Sequence, residues 1–555
     1  MKLKTKILSP IEKVFYDDKI SKFSKYPSSS ALIGEKHNFI VAYTDTEYFH
    51  THYCIESIKI KVHSNIKDSI KVYAIEHVPA VFAAPIYEDP DNFLRQYPGL
   101  FPDLLVEINE DTEYSIVHRV LNTMWVEVDT SNVPAGEYSI IIEFSDKNDN
   151  KLSSCKHTLK VIGARLPEQT IAVTHWMHTD CIADAFGLKV FSEKHWEAIE
   201  NYVKMYVDSG SNMLYTPLFT PPLDTAVGGE RTTVQLVGVE LCNGKYTFDF
   251  SKLRRWVEMA KRCGVKHFEM SHLFTQWGAF HAPKIIATVN GKQKKIFGWD
   301  TDAHGNEYEN FLAQFMSALL PVLKELGIEN NTVFHISDEP SIEHLESYKA
   351  CSDIIRKYLK GYKIMDAMAN IKFYEDGLVD IPIPYLKHCK AFFEAKADPR
   401  YVYYCGADTQ MMGRAIAMPS CRNRICGVHF YTNKVEGFLH WGFNFYNSRN
   451  STRHIDPYFV TDADKRFCAG DSFLVYPAED LKPTPSIRMC VFRDAIQDMR
   501  ALELCEALIG RDAVMDAISS VNGGSVPDIL RTPEDKEYTL KLRECINSLI
   551  EKAIK

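Results

Sequence analysis

The chain has 555 residues, of which 45% are hydrophobic and 25% are charged, and its formal net charge is −9. This length predicts two or three domains, and the composition excludes a disordered or fibrous protein. The acidic balance excludes an extended basic surface, so we expect neither nucleic acid nor a membrane as a partner. The sequence has no apolar run long enough to span a bilayer and no secretion signal, which predicts a cytoplasmic protein.

The first 165 residues contain short runs of alternating or continuous apolar residues between turn residues. Such runs predict β-strands, and their number is typical of a sandwich of two sheets. The strands are predicted near Asn38, Ser57, Ser69, Trp125 and Tyr138. We therefore predict an all-β N-terminal domain over residues 1–165 with the architecture of a β-sandwich.

From residue 166 onward, apolar strands alternate with amphipathic helices. This alternation predicts βα units and a parallel sheet, and eight strands are the number with which a TIM-type (β/α)8 barrel closes. The eight candidate strands begin near Ile171, Asn212, Lys266, Thr332, Lys363, Cys389, Tyr401 and Glu436. We predict a catalytic barrel over residues 166–480. Residues 481–555 are predicted to form a helical extension packed on that barrel, which gives a multidomain α/β protein.

Two adjacent acids, Asp338 and Glu339, follow the predicted strand Val333–Ile336 and precede Pro340. Proline cannot donate to a sheet ladder and disfavours helical backbone in the residue before it, so the acids should lie where the strand becomes a loop. In (β/α)8 enzymes these loops converge on the catalytic cavity, which makes the acids candidates for catalysis. The alternative is that Asp338 caps a helix that begins near Ser341.

Aromatic and polar residues are predicted at the ends of the other strands. Sugar rings have apolar C–H faces and polar hydroxyls, so sugar pockets combine tryptophan or tyrosine with acids, amides and histidines. The candidates for substrate binding are Trp176, His175, His272, Asp366, Tyr404, Trp441 and Asn444. The alternative for each aromatic residue is an ordinary place in the core.

Other chemistries find no support in the sequence. The chain lacks a Gly-rich phosphate-binding loop, a dinucleotide-binding motif, a zinc-protease motif and a serine-hydrolase elbow. His175, His178, His272 and His281 could cluster, but their spacing does not define a metal site. We therefore predict neither a metal nor another cofactor.

Several longer motifs resemble those of glycoside hydrolase family 123 and of related proteins grouped by a domain of unknown function, DUF4091. They extend over most of the chain and begin at His175, Asn212, Ser271, Ser337, Gly437, Gly470, Pro485 and Arg493. The resemblance implies an N-terminal β-sandwich, a (β/α)8 barrel and retaining β-N-acetylgalactosaminidase activity. Arg488 and Arg493 resemble family positions, and we expect them to tie the terminal helices to the barrel.

The resemblance also implies substrate-assisted catalysis, in which the 2-acetamido group of the substrate attacks the anomeric carbon in place of a protein nucleophile. Asp338 would accept the acetamido N–H and balance the positive charge of the oxazolinium intermediate. Glu339 would protonate the leaving oxygen, and an ionised Asp338 should raise the pKa of Glu339 for that task. The implied partner is a small glycan or glycoside with a terminal N-acetylhexosamine.

The residues leave two other functions open. One is a glycosidase of other specificity, in which a distant acid such as Glu269 or Glu394 serves as the nucleophile. The other is a non-catalytic carbohydrate-binding protein, which needs no pair of adjacent acids. A requirement for the acetamido group separates the first of these from a hexosaminidase.

Overall fold

The computed structural model describes residues 3–45, 55–85, 92–110, 112–117, 120–406 and 410–555. Contacts within the chain divide it into two compact units, and each unit is built from separated segments. The first unit comprises Met1–Thr170, Ala407–Asn433 and Thr484–Lys555, and the second comprises Ile171–Gly406 and Lys434–Pro483. Within the described part of the chain, no helix is both long and apolar enough to cross a membrane.

The first unit begins with strands that form two five-stranded sheets. The strands are β1 (Leu3–Leu8), β2 (Ser28–Ile33), β3 (Lys36–Asp45), β4 (Ile55–His63), β5 (Ile70–Ala80), β6 (Gly99–Ile108), β7 (Tyr114–Val117), β8 (Asn122–Asp129), β9 (Gly136–Asp146) and β10 (Lys151–Arg165). One sheet has the order β1-β3-β8-β5-β6 and the other the order β2-β10-β9-β4-β7. Neighbouring strands are antiparallel except β2 and β10, which are parallel.

The two sheets share one apolar core. Alternate residues of each strand face this core, as Phe39, Val41 and Tyr43 do on β3 and as Ile140 and Ile142 do on β9. Two sheets that enclose one core in this way form a β-sandwich. The strands predicted in this region correspond to β3, β4, β5, β8 and β9, and their prediction is confirmed.

The second unit alternates strands and helices, as its sequence pattern predicts. Its strands are β11 (Ala172–His175), β12 (Met213–Thr216), β13 (Gly238–Cys242), β14 (Lys245–Asp249), β15 (His267–Met270), β16 (Ile285–Val289), β17 (Lys292–Phe297), β18 (Thr332–Phe334), β19 (Lys363–Met368), β20 (Ile381–Pro384), β21 (Tyr401–Tyr403), β22 (Gly437–His440) and β23 (Val475–Pro477), and β24 (Pro483–Pro485) follows. Its helices are α1 (Thr179–Ala185), α2 (Glu193–Asp208), α3 (Ser251–Cys263), α4 (Asn306–Glu325), α5 (Leu345–Tyr358), α6 (Lys372–Glu375) and α7 (Cys389–Glu394).

Eight of these strands are parallel and lie in two sheets. The three-stranded sheet has the order β11-β22-β21, and the five-stranded sheet has the order β12-β15-β18-β19-β20. Two of the helices between them have ordinary caps: Ser192 caps α2 by accepting a hydrogen bond from the His195 N–H, and Gly264 ends α3 with a φ of +103°. A separate sheet with the order β14-β13-β16-β17 is inserted among the βα units.

Seven of the eight predicted barrel strands are confirmed, and the strand predicted at Cys389 is wrong. Residues Cys389–Glu394 form α7, and the parallel strand of this region is β20, eight residues earlier in the chain. Its sequence is Ile-Pro-Ile-Pro, in which Pro382 and Pro384 cannot donate to a ladder. Such residues argue against a strand in sequence reasoning, although β20 pairs with β19 over its whole length.

Alternate positions of the parallel strands contribute to one apolar cluster. The cluster contains Met213 and Tyr215 of β12 and Tyr401 and Tyr403 of β21, whereas the residues between them point to the other face. Gly437 of β22 provides room for one of these rings, because a Cβ built there would lie 1.9 Å from the Tyr401 ring. Both parallel sheets therefore bury side chains in the same interior.

The remaining helices belong to the first unit, together with the sandwich strands. The predicted boundary at residue 480 instead assigns the helices after it to a separate extension. They are α8 (Cys421–Arg424), α9 (Cys426–Asn433), α10 (Ile487–Ile509), α11 (Arg511–Val521) and α12 (Tyr538–Ala553). The Arg488 guanidinium donates to Asp103 of β6 at 2.8 and 2.9 Å, and Arg493 donates to Glu127 of β8. The two arginines therefore tie α10 to the sandwich strands, whereas the sequence predicts that they tie it to the barrel.

Candidate active site

The adjacent acids Asp338 and Glu339 lie in an irregular segment beyond the end of β18. The strand stops at Phe334, Asp338 is partly buried, and Glu339 is exposed with a left-handed backbone at a φ of +44°. Side chains of neighbouring residues alternate in a regular strand, so this irregular backbone gives the two carboxyl groups freedom to approach one substrate. Ser341 and His344 form the capping box of the following helical turn, so Asp338 is not its cap.

Three hydrogen bonds hold the acid pair in place. The Glu339 N–H donates to the Ala367 carbonyl at the end of β19, at 3.2 Å. The Tyr403 hydroxyl at the end of β21 donates to the Glu339 carboxylate. The Asp338 carbonyl accepts a hydrogen bond from the Trp277 N–H at 2.9 Å. The pair is therefore fixed by three different strand ends or loops of the second unit.

The pKa shift of the pair falls on Asp338. Burial raises the pKa of Asp338 well above its usual range, the charges of Glu339 and Asp366 raise it further, and His335 lowers it. The charge of Asp224 also raises the pKa of Asp338, and burial raises the pKa of Asp224 itself to about 6. The sequence does not reveal the raised pKa of Asp338, because a buried position for Asp338 and an exposed one for Glu339 are not visible in the residue types.

A buried group of polar residues, which we call the interior network, comprises Glu269, His335, Asp366, His272 and Trp176. His335 has Nδ1 2.8 Å from Asp366 and Nε2 2.6 Å from Glu269, and all three side chains are inaccessible to solvent. Burial alone would lower the pKa of His335, but the hydrogen bonds and charges of the two carboxylates raise it to about 9. His335 is therefore a cation held between two buried carboxylates.

The other two members complete the network around Glu269 and His335. The Trp176 indole N–H donates to Glu269 at 2.7 Å, and the His272 ring stacks on the His335 ring with centroids 4.4 Å apart. Burial and the His335 charge lower the pKa of His272 well below its usual range, so its imidazole is neutral. The Oε2 atom of Glu269 and the Nε2 atom of His272 are buried without a hydrogen-bond partner in the described structure.

Asp366 fixes the segment that leads to the acids. Its carboxylate accepts hydrogen bonds from the backbone N–H groups of Ile336 and Ser337 at 3.1 to 3.3 Å, and from the Tyr348 hydroxyl of α5. Asp366 is one of the predicted sugar-binding residues, but these bonds occupy its oxygens. Its position instead connects the interior network to the backbone just before Asp338.

The donor atoms of His272, His335 and Asp366 lie within 4.8 Å of one another, a spacing that a metal ion could use. A metal needs a free lone pair from each ligand, and both ring nitrogens of His335 already bond to carboxylates. A protonated imidazole cannot coordinate. The residues present therefore fit a hydrogen-bonded charge network rather than a metal site.

The predicted substrate-binding residues divide into two groups. Trp176, His272 and Asp366 belong to the interior network, and the partly buried Trp441 packs on the same apolar cluster, with its indole N–H 3.2 Å from Asp471. His175, Tyr404 and Asn444 lie elsewhere. His175 bonds to Ser211 at 2.9 Å, Asn444 bonds to the backbone of His178, and Tyr404 packs against Phe438 and His440 on the opposite face of β22. These three have the surroundings of core residues.

Sequence reasoning missed Tyr403, Trp277, Asp224, Glu269 as a network member, and His335. The alternation of Tyr401 and Tyr403 within β21 could have identified Tyr403, because residues two apart share a face and Tyr404 then faces the other way. The residue types at Trp277 and Asp224 carry no comparable signal, since both lie in irregular loops. Their proximity to Asp338 depends on the fold.

A family model for the catalytic domain of glycoside hydrolase family 123 matches residues 176–505. The match contains the acid pair and every member of the interior network. The chain belongs to glycoside hydrolase family 123. This family 123 chain has no match among curated protein sequences.

Solved structures give the same relationship at the level of the fold. A family 123 glycoside hydrolase from Clostridium perfringens, studied for glycolipid glycan hydrolysis, superimposes with a TM-score of 0.75 at 16% identity and covers 99% of this chain and 98% of its own. A β-D-glucuronidase from Dictyoglomus thermophilum aligns with a TM-score of 0.34 at 10% identity, over 84% of this chain and 68% of its own. The first match shows that this family 123 protein shares its fold with the C. perfringens enzyme.

Proposed function

We propose that this family 123 protein is a retaining exo-β-N-acetylhexosaminidase, with β-N-acetylgalactosamine as the preferred terminal sugar. The observation that supports it is the pair Asp338 and Glu339, which are adjacent in the chain and differ in burial. A glycosidase with a protein nucleophile holds its two acids on opposite sides of the scissile bond, usually on separate elements. Adjacent acids suit a reaction in which the substrate supplies the nucleophile. The preference for galactosamine rests on the family resemblance.

The reaction proceeds in two steps. The acetamido oxygen of the substrate attacks C1, the bond from C1 to the glycosidic oxygen breaks, and Glu339 donates its proton to the departing oxygen. Asp338 accepts the acetamido N–H and balances the positive charge of the oxazolinium ring. In the second step Glu339 takes a proton from water, the water oxygen attacks C1, and the acetamido group re-forms. Two inversions at C1 give net retention.

The pKa of Asp338 explains how the proton reaches the correct carboxyl group. In the resting site burial and the charge of Glu339 raise the pKa of Asp338, so Asp338 keeps its proton at a pH where a free carboxyl group has lost it. A bound acetamido N–H and the developing positive charge both favour ionised Asp338. The proton that Asp338 then releases passes to Glu339, which donates it to the leaving oxygen.

We also infer that the two parallel sheets of the second unit form one eight-stranded barrel. The Asn212 N–H just before β12 donates to the Val173 carbonyl of β11 at 3.0 Å. An isolated parallel bridge joins Tyr385 and Tyr403 at the ends of β20 and β21. These two links are the junctions at which a barrel with the predicted strand order would close, and the acid pair then lies at the carboxyl ends of the strands.

The two alternative nucleophiles are less suited to attack a sugar. Glu269 is fully buried, and one of its oxygens bonds both to the His335 cation and to the Trp176 indole. Glu394 is exposed at the last turn of α7, away from any strand end. Neither position combines exposure to solvent with an adjacent carboxyl group, as Glu339 does.

The test compares p-nitrophenyl β-glycosides of N-acetylgalactosamine, N-acetylglucosamine, galactose and glucose. We expect turnover of the acetamido sugars alone, and a loss of kcat of about 10²-fold or more in both Asp338→Asn and Glu339→Gln. Tyr404→Phe is the matched control, because this strand-end hydroxyl belongs to a side chain that packs on the other face. Hydrolysis of plain galactosides or glucosides, or full activity in either acid variant, would refute the proposed mechanism.

A further inference from the structure

The loop after β15 runs alongside the segment that carries the acids. The N–H groups of Leu273 and Phe274 donate to the carbonyls of His335 and Ile336, both at 3.1 Å, and the Ser337 hydroxyl donates to the Thr275 carbonyl at 2.8 Å. The Trp277 N–H completes the series with its bond to Asp338. The backbone of the loop is thus attached to the acid segment residue by residue.

The far end of the loop is attached as well. The Ala279 carbonyl accepts hydrogen bonds from Ser347 and Cys351 of α5, and the Phe280 ring packs edge-on against His344 with centroids 5.6 Å apart. Gly278 is required for this packing, because a Cβ built there would lie 2.5 Å from the Phe280 ring. Trp277 is therefore carried by a backbone that is fixed on both sides.

The Trp277 side chain itself is unusual. Its backbone is left-handed at a φ of +55°, a conformation that is unfavourable for a bulky residue, and 41% of its surface is exposed. Within the described structure its indole makes no aromatic contact and no hydrogen bond. Strained backbone of this kind persists where function requires it. Phe280 in the same loop and Ile342 in the helical turn after the acids are also exposed.

We propose that Trp277 is the platform for the leaving-group sugar, the residue that is joined to the terminal N-acetylhexosamine through the scissile bond. This inference rests on the proposed function. A terminal sugar must reach Asp338, which is partly buried, whereas Trp277 is exposed beside it and can only meet the part of a substrate that remains outside. A free indole face on a fixed backbone suits the apolar face of a pyranose ring without ordering cost.

The substrate class is therefore a glycan with at least two sugars rather than a simple alkyl glycoside. Phe280 and Ile342 are further exposed apolar side chains, one in this loop and one in the helical turn that follows the acids.

The experiment measures kcat and KM for two substrates with the same terminal sugar. One is a disaccharide of β-N-acetylgalactosamine on galactose, and the other is methyl β-N-acetylgalactosaminide, which has no leaving-group ring. In Trp277→Ala we expect kcat/KM for the disaccharide to fall about tenfold, mainly through KM, and kcat/KM for the methyl glycoside to be unchanged. Trp277→Phe retains an aromatic face and should lose less.

Phe459→Ala is the matched control, because Phe459 is an aromatic residue that is 73% exposed on a turn of the same unit. It should leave both substrates unaffected. Equal losses on both substrates would show that Trp277 only positions Asp338, and no loss on either would remove it from the site. If wild type hydrolyses only plain hexosides, the proposed function fails, and disaccharides of those hexoses still test Trp277. If wild type hydrolyses no glycoside, both proposals fail.

Discussion

The interior network and the rim formed by Asp338, Glu339 and Trp277 are built in opposite ways. The network is dry and its strongest bonds join opposite charges, with His335 between Glu269 and Asp366. The rim is partly exposed, and two of its three residues have left-handed backbone. The interior network joins charges that have no access to solvent, whereas the rim holds unfavourable backbone conformations at the proposed place of substrate binding. The interior network is therefore the rigid part of the site, and the rim is its strained part.

The comparison also explains which residues connect the halves. Asp366 bonds both to His335 and to the backbone of Ile336 and Ser337, which are the two residues that directly precede Asp338. A change in the charge of the interior network therefore affects Asp338 in two ways: it alters the position of the backbone before Asp338, and it alters the electrostatic field at the carboxyl group. Substitutions in the interior network should consequently alter the stability of the fold, whereas substitutions in the rim should alter the reaction rate or its pH dependence.

The largest effect is expected from His335→Gln, which removes the cation and leaves two buried carboxylates unpaired. Loss of one partner from a buried ion pair costs about 3–5 kcal/mol. The ordinary pKa of histidine is about 6.5 and that of His335 is about 9. Wild-type His335 therefore stabilises the fold fully below pH 6.5, and this contribution, about 3 kcal/mol, is lost as the pH rises through 9.

Urea unfolding between pH 6 and pH 10 measures this effect. The difference in unfolding free energy between wild type and His335→Gln should shrink as the pH rises through the window from 6.5 to 9. A difference that stays constant across that window would mean that His335 is not a cation in the fold. It would also remove the contrast between a charged interior and the rim.

A smaller effect is expected at the rim from Tyr403→Phe. The hydroxyl donates to the Glu339 carboxylate and so fixes the position of that group. Without this hydrogen bond, kcat should fall about tenfold, because the carboxyl group that protonates the leaving oxygen is no longer held in place. Tyr404→Phe is the control, and an unchanged kcat in Tyr403→Phe would contradict the assignment of Glu339 as the acid.

The smallest effect is expected from Asp224→Asn. The charge of Asp224 raises the pKa of Asp338, so its removal should shift the acidic limb of kcat/KM to lower pH. The exposed Asp376→Asn serves as the control for a lost carboxylate of the same unit. A shift in the opposite direction would show that Asp224 acts through its hydrogen bond to the Asn450 N–H rather than through its charge.

The sequence predicts the repeating units of this fold better than its exceptions. Seven of the eight parallel strands combine β-branched or aromatic residues with turn signals on both sides, so pattern alone identifies them. The strand β20 is the exception, because Pro382 and Pro384 cannot donate hydrogen bonds to a neighbouring strand. The apolar run at Cys389 has the length of either a strand or a short helix. Only pairing with the neighbouring strand β19 shows which of the two segments is the strand.

The site divides in the same manner. Asp338 and Glu339 are visible in the sequence because proline and an apolar run mark the end of a strand. The sequence predicts Tyr404 as a sugar-binding residue, but its neighbour Tyr403 is the tyrosine that contacts Glu339, and Tyr404 packs on the other face. The sequence also predicts that Arg488 and Arg493 contact the barrel, although their partners Asp103 and Glu127 lie hundreds of residues away in the sandwich. Local sequence contains no record of such distant pairs.

The left-handed backbone of Glu339 has a consequence for the stability of the fold. A glutamate at a φ of +44° costs about 1–2 kcal/mol that glycine would not. Glycine at this position would relieve that cost, but it would also remove the carboxyl group on which the proposed reaction depends.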